Sequence, residues 1–151
     1  MGIFSAMFGE SKEERITRWK KNILEILELI TEEEGAHVQL DDAGRIVALK
    51  GSAITYVDFI TDDDNDTYLV VYSPLVYLPK ENYVAFYRYL LDRNNGMLSP
   101  ARLVTNGDVV ELEAVLDTDF LSDDMVRFVA ASVLNGADVL DDELVEEFGV
   151  K

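Results

Sequence analysis

At 151 residues the chain is of single-domain size and long enough to bury a core without staples. Hydrophobic residues make up 48% and charged residues 28%, a balance that suits a folded, dissolved domain. Cysteine is absent, which removes disulfides, thiolate nucleophiles and Cys-based metal sites together, and 13 bases against 30 acids give a net charge of −17 that repels nucleic acid and anionic lipid.

The excess is uneven. Asn106–Lys151 holds 13 acids against only Arg127 and Lys151. It is a solvated acidic face, a docking surface for a basic partner, or a trace of salt adaptation. No apolar stretch approaches the roughly 20 residues that span a bilayer. Residues 1–9 lack a basic lead, a long apolar core and a cleavage site, and Ala6 stands where myristoylation wants Ser or Thr. The expectation is a cytoplasmic protein with no membrane partner.

Ser11 and Glu14 form a capping-box pattern, and Ile16, Trp19, Ile23, Leu27 and Ile30 follow at helical spacing, which predicts a first helix over Lys12–Glu34 ended by Gly35. His37–Leu40 and Arg45–Leu49 flank Asp41-Asp42-Ala43-Gly44 as a hairpin. Ser52–Thr61 is a further strand, and after the turn Asp62–Asp66 comes Thr67–Leu78, the most strand-like stretch. Pro79 suits a helix start, with Tyr83, Phe86, Tyr87 and Leu90 on one apolar face and Tyr89 pointing away from it. Arg102–Thr105 and Val109–Leu116 flank Asn106-Gly107, the dipeptide favoured in type I′ turns. Ser122 then caps a helix through Met125, Val126, Val129 and Val133 to Asn135-Gly136, and Val139–Phe148 makes a short last helix.

The order is therefore helix, three or four strands, helix, two strands, two helices (α-β-β-β-α-β-β-α-α at its simplest). Short connections favour an antiparallel α+β fold with helices mainly on one face, in a single domain over 1–151 that leaves room for a flexible segment at 1–10.

Little here carries chemistry. His37 is the only histidine, with no nucleophile or carboxylate partner near it in sequence, and no Gly-x-Ser-x-Gly turn, paired-histidine zinc helix or Gly-rich phosphate loop occurs. Asp62, Asp64 and Asp66 imitate the start of a calcium loop, but Thr67 replaces the required Gly and Ser73 stands where a bidentate Glu belongs. A solvated turn bonding its own backbone is the better reading. No catalytic residue, metal or cofactor is assigned, though an enzyme with a carboxylate-only site, built on Asp58 or Asp62–Asp66, stays open as an alternative.

Two features ask for a partner. Along Thr67–Leu78 one face carries Tyr68, Val70, Tyr72, Val76 and Leu78 and the other Leu69, Val71, Leu75 and Tyr77, so both are apolar. One layer of helices covers only one face, leaving the second for the first helix, a twin subunit or a client. The first helix bears Lys12, Arg15, Arg18, Lys20 and Lys21 early and Glu25, Glu28, Glu32, Glu33 and Glu34 late, against its dipole, so an offsetting contact is expected. Tyr68, Val70, Tyr72, Val76, Arg15, Arg18 and Lys21 are the candidate protein-binding or dimer surface. The bases are expected to face the acidic segment Asn106–Lys151, within one subunit or across a dimer.

The element order, with Leu90-Leu91 and Asn94 ending the second helix, the hairpin at Asn106-Gly107, and Leu116 leading to Leu121-Ser122, resembles the type III secretion chaperone-like (Tir-chaperone-like) fold and, within it, the YbjN family and its cyanobacterial relatives. The resemblance runs over roughly Leu78–Val139. It implies a dimeric, non-enzymatic protein that holds or senses another polypeptide, as chaperone or regulator; a structural subunit of a larger assembly is a separate alternative. An extra C-terminal helix and the aspartate turn would depart from the simplest form of that fold.

Overall fold

The computed structural model describes residues 9–96 and 100–150, with backbone alone at 33–34. Residues 1–8, most of the segment for which flexibility was expected, lie outside them. Helix α1 spans Lys12–Glu34. The Ser11 hydroxyl accepts from the Glu14 amide while the Glu14 carboxylate accepts from Ser11 N–H, satisfying two otherwise orphaned donors. Gly35 ends the helix in the left-handed conformation, which costs a residue without Cβ little.

Four strands follow: β1 (His37–Leu40), β2 (Ile46–Lys50), β3 (Ala53–Thr61) and β4 (Thr67–Tyr77). After helix α2 (Tyr83–Asn94) come β5 (Arg102–Asn106) and β6 (Val109–Asp117), a single 3₁₀ turn at Thr118–Phe120, and helix α3 (Asp123–Phe148). The sheet is antiparallel throughout, in the order β1-β2-β3-β4-β6-β5.

Helices α1, α2 and α3 share one hydrophobic core with a single side of the sheet. Trp19, Ile23 and Leu27 from α1, Phe86 and Leu90 from α2, and Val129, Val133, Leu140 and Leu144 from α3 pack on Ala48, Val57, Leu69, Val71, Leu112 and Ala114. The α+β class with helices on one face is thus as the sequence predicts. Among the described residues no helix covers the other side.

Three local readings need correction. Asn135-Gly136 does not end a helix. Helix α3 runs through it because the missing Cβ lets the helix lie close on β6, where an added Cβ at Gly136 would come within 2.9 Å of Leu112 Cδ2. The supposed extra C-terminal helix is the second half of α3. Helix α2 starts at Tyr83, not at Pro79, after Asn82 in the left-handed region that Asn tolerates. The β5–β6 loop is Gly107-Asp108, and only Gly107 has positive φ, so it is not a type I′ turn.

The aspartate turn behaves as a turn. Asp62 Oδ1 accepts from the Asp66 amide at 2.9 Å, and Asn65 takes a positive φ.

Candidate protein-binding surface

On the helix-free side, register decides which residues meet. Directly opposed residues point the same way, so Val47, Tyr56, Tyr72, Glu113 and Arg102 form one row across five strands. Asp58, Val70 and Val115 form the next, and Pro74, Glu111 and Val104 the row on the other side.

The centre is aromatic. Tyr56 and Tyr72 stack with ring centroids 5.2 Å apart at 22°, and the Arg45 guanidinium lies 4.8 Å from the Tyr56 centroid while donating to the Tyr72 hydroxyl at 3.0 Å. Asp41 holds Arg45 from the edge at 2.7 Å. The backbone amide of Arg45, and after it the guanidinium, keep the Asp41 carboxyl below the ordinary range. Burial raises the Tyr72 hydroxyl and Arg45 opposes it. Tyr68 is raised chiefly by the Asp62 carboxylate.

Around this centre stand Val47 and Val70, buried, and Ile54, Ile60 and Val115, exposed. Glu111 was not singled out from the sequence. It is 8% exposed on this side, and burial lifts its carboxyl above the usual range while Asn106 Nδ2, 3.4 Å away, partly counters the lift. The alternation of Glu111 and Glu113 with Leu112 and Ala114 was visible; the pairing that sets them beside Pro74 and Tyr72 was not.

Of the residues proposed from sequence, Tyr68, Val70 and Tyr72 share this face, but Val76 does not. The ladder shifts between Pro74 and Val76, Leu75 is the extra residue, and Val76 turns into the core at 3% exposure. The bases of α1 belong to the helical layer instead, and they separate. Arg15 pairs with Asp119 in the acidic segment, as expected, whereas Arg18 is held by Glu10 through two hydrogen bonds of 2.7 and 2.9 Å. Among the described residues Lys21 makes no ion pair. Lys12 donates to the carbonyl of Asn65. These contacts offset the charge order that the helix dipole disfavours.

A second apolar surface lies on α2. Phe86 and Leu90 face inward as predicted, but Tyr83 and Tyr87 do not: together with Val84 and Leu91 they form an exposed stripe, Val84 at 85% and Leu91 at 68%. The reason is rotation of the helix toward α3. Phe148 packs edge-on against both Phe86 and Tyr89, and Tyr89, expected to point away, donates to Glu143 at 3.0 Å while Arg93 pairs with the same carboxylate. Asn94 fastens the helix end by bonding both backbone groups of Leu103 on edge strand β5, at 2.7 and 2.9 Å. At the start of α2 a cleft of about 380 Å³ is lined by Tyr77, Leu78, Pro79, Lys80, Tyr83 and Asp108.

His37 is exposed at the start of β1. No group of three or more potential metal-ligating side chains clusters among the described residues, and none of the helices is long and apolar enough to cross a membrane.

The arrangement is that of known secretion chaperone structures. One chain of the heterodimeric ExoU–SpcU complex of the type III secretion system of Pseudomonas aeruginosa superposes with a TM-score of 0.51 at 14% identity, covering 69% of this chain and 87% of that one. The Yersinia pestis type III secretion chaperone SycH complex with a fragment of YscM2 gives 0.46 at 16% identity, covering 76% and 96%. The HopA1–SchA chaperone–effector complex gives 0.48 at 11%, covering 78% and 95%. No curated protein matches the chain. The family model described as T3SS (YopN, CesT) and YbjN peptide-binding chaperone 1 matches residues 24–150, and the chain belongs to that family.

Proposed function

We propose that the protein is a non-enzymatic, chaperone-like binding module of the cytoplasm that works as a homodimer and holds a segment of another polypeptide on the helix-free side of its sheet. One observation carries the reading: an aromatic, largely apolar sheet face with no helix over it among the described residues, in a member of a peptide-binding chaperone family. The stripe Tyr83, Val84, Tyr87 and Leu91 supports the dimer. It is separate from the sheet face, it is the more exposed of the two, and its charged neighbours Arg88 and Asp92 are of opposite sign, so two copies can meet there without repulsion.

Light scattering after gel filtration tests the dimer. The parent is expected at about twice 17.0 kDa in the micromolar range and the Val84→Asp, Leu91→Asp variant at the subunit mass. A parent that runs as the subunit throughout ends the dimer proposal. A tagged copy recovered from its native cell should retain a defined polypeptide, and Tyr56→Ala, Tyr72→Ala should lose it while remaining dimeric. Equal retention by both would remove the sheet face from the function.

A further inference from the structure

The two apolar surfaces differ in charge, and that difference selects what the sheet face holds. Asp58, Glu111, Glu113 and Asp117 all project from this face, with Asp62 and Asp66 at its rim beside Tyr68. Among the described residues two arginines answer them, and both are engaged: Arg45 with Asp41 and Tyr72, Arg102 with Glu113 at 3.3 Å.

Glu111 is the informative residue. It is more than nine-tenths buried, and among the described residues no cation pairs with it and its one hydrogen bond is long for N–H···O, from Asn106 at 3.4 Å. The free oxygen of Glu111 is not sealed in. Among the described residues the enclosed side-chain polar atom lacking a partner is Thr55 Oγ1, which the register sets opposite Ala48 on the helix side of the sheet. A carboxylate so largely withdrawn from water, yet still reachable at one oxygen, gains more from a cation brought by a partner than a fully solvated acid does.

We infer that the helix-free face selects an amphipathic polypeptide segment in which a Lys or Arg reaches Glu111 while flanking apolar side chains lie on Tyr56, Val70 and Tyr72. The inference rests on the peptide-binding reading above and names the chemistry of the segment. A second copy of this chain is excluded from the same place by charge, since two such acidic faces would repel.

Three labelled twelve-residue peptides test it, identical in their alternating leucines and carrying Lys, Gln or Glu at the other positions. Binding to the full-length chain is read by fluorescence anisotropy, and amide shifts of Val70 and Val115 locate it. The Lys peptide is expected to bind on the sheet face at least about tenfold more tightly than the Gln peptide, and the Glu peptide more weakly than either. Because a strongly acidic protein attracts any basic peptide, two variants with the same charge change are compared. Glu111→Gln should weaken the Lys peptide about tenfold, whereas Asp142→Asn, on the exposed side of α3, should change it less than twofold.

Equal loss in both variants, or none in Glu111→Gln, overturns the assignment of Glu111. If all three peptides bind alike on Val70 and Val115, the peptide-binding reading stands and the charge selection falls. If none binds there, both fall.

Discussion

The sheet face and the outer stripe of α2 both present apolar side chains, yet their exposure and their charged surroundings differ. On the sheet, the stacked rings of Tyr56 and Tyr72 are ringed by carboxylates, the largely buried Glu111 among them. On α2, side chains stand far into solvent with Arg88 and Asp92 alongside. Exposure alone would rank α2 first for any partner. In the function proposed above, charge separates the two surfaces, because a net-acidic face opposes its own copy and a balanced stripe does not.

The contrast also extends to how each surface is held. The sheet face is backed by a six-stranded sheet and the core beneath it, whereas the α2 stripe depends on Phe86, Phe148 and Asn94. Phe86→Ala should therefore cost about 3 to 5 kcal/mol in global stability and act unevenly. Hydrogen exchange is expected to speed up first across Tyr83–Asn94 while Thr67–Tyr77 stays protected. Uniform acceleration of both would show that the two surfaces stand on one support.

A smaller effect distinguishes Glu111 itself. Its carboxyl is raised in the fold, so the folded protein resists ionising it. The resulting penalty is fully present above the folded value and disappears as pH falls toward the unfolded value of about 4.5. Glu111→Gln should raise stability at neutral pH by on the order of 1 kcal/mol, the usual scale for an under-satisfied buried polar group, and the gain should shrink on acidification. Thermal melts at pH 7 and near pH 4.5 decide it; a gain that grows toward acid would reverse the assignment.

The smallest effect belongs to the basic end of α1. Arg15 and Asp119 are both substantially solvated, so Arg15→Ala should cost between about 0 and 1 kcal/mol, and less in high salt. A larger, salt-independent loss would place that contact on a level with the two apolar surfaces.

Local chemistry made much of this legible in the sequence. The capping box and Gly35 bound α1 to the residue, and the aspartate turn closes as its side chains dictate. What was not legible depends on contacts distant in the chain. Gly136 looks like a stop until Leu112 is placed beneath it. Tyr83, Tyr87 and Tyr89 exchange inside for outside because α2 leans on Phe148 and Glu143 as well as on the sheet. Glu111 needs the β4–β6 register before it becomes more than one acid among thirty.

The extra residue in β4 has a consequence of its own. A strand is a binary code, inward and outward by turns, and a single insertion inverts every symbol downstream. Ahead of Leu75 the even-numbered residues look outward; beyond it Val76 is sealed and Tyr77 emerges at the mouth of the cleft beside Tyr83. One strand thus serves two neighbourhoods, and its parity, more than the hydrophobicity of any residue in it, draws the border between them. A loss of one residue at this point would exchange Val76 and Tyr77 across the sheet, an error that no single side-chain replacement could mimic.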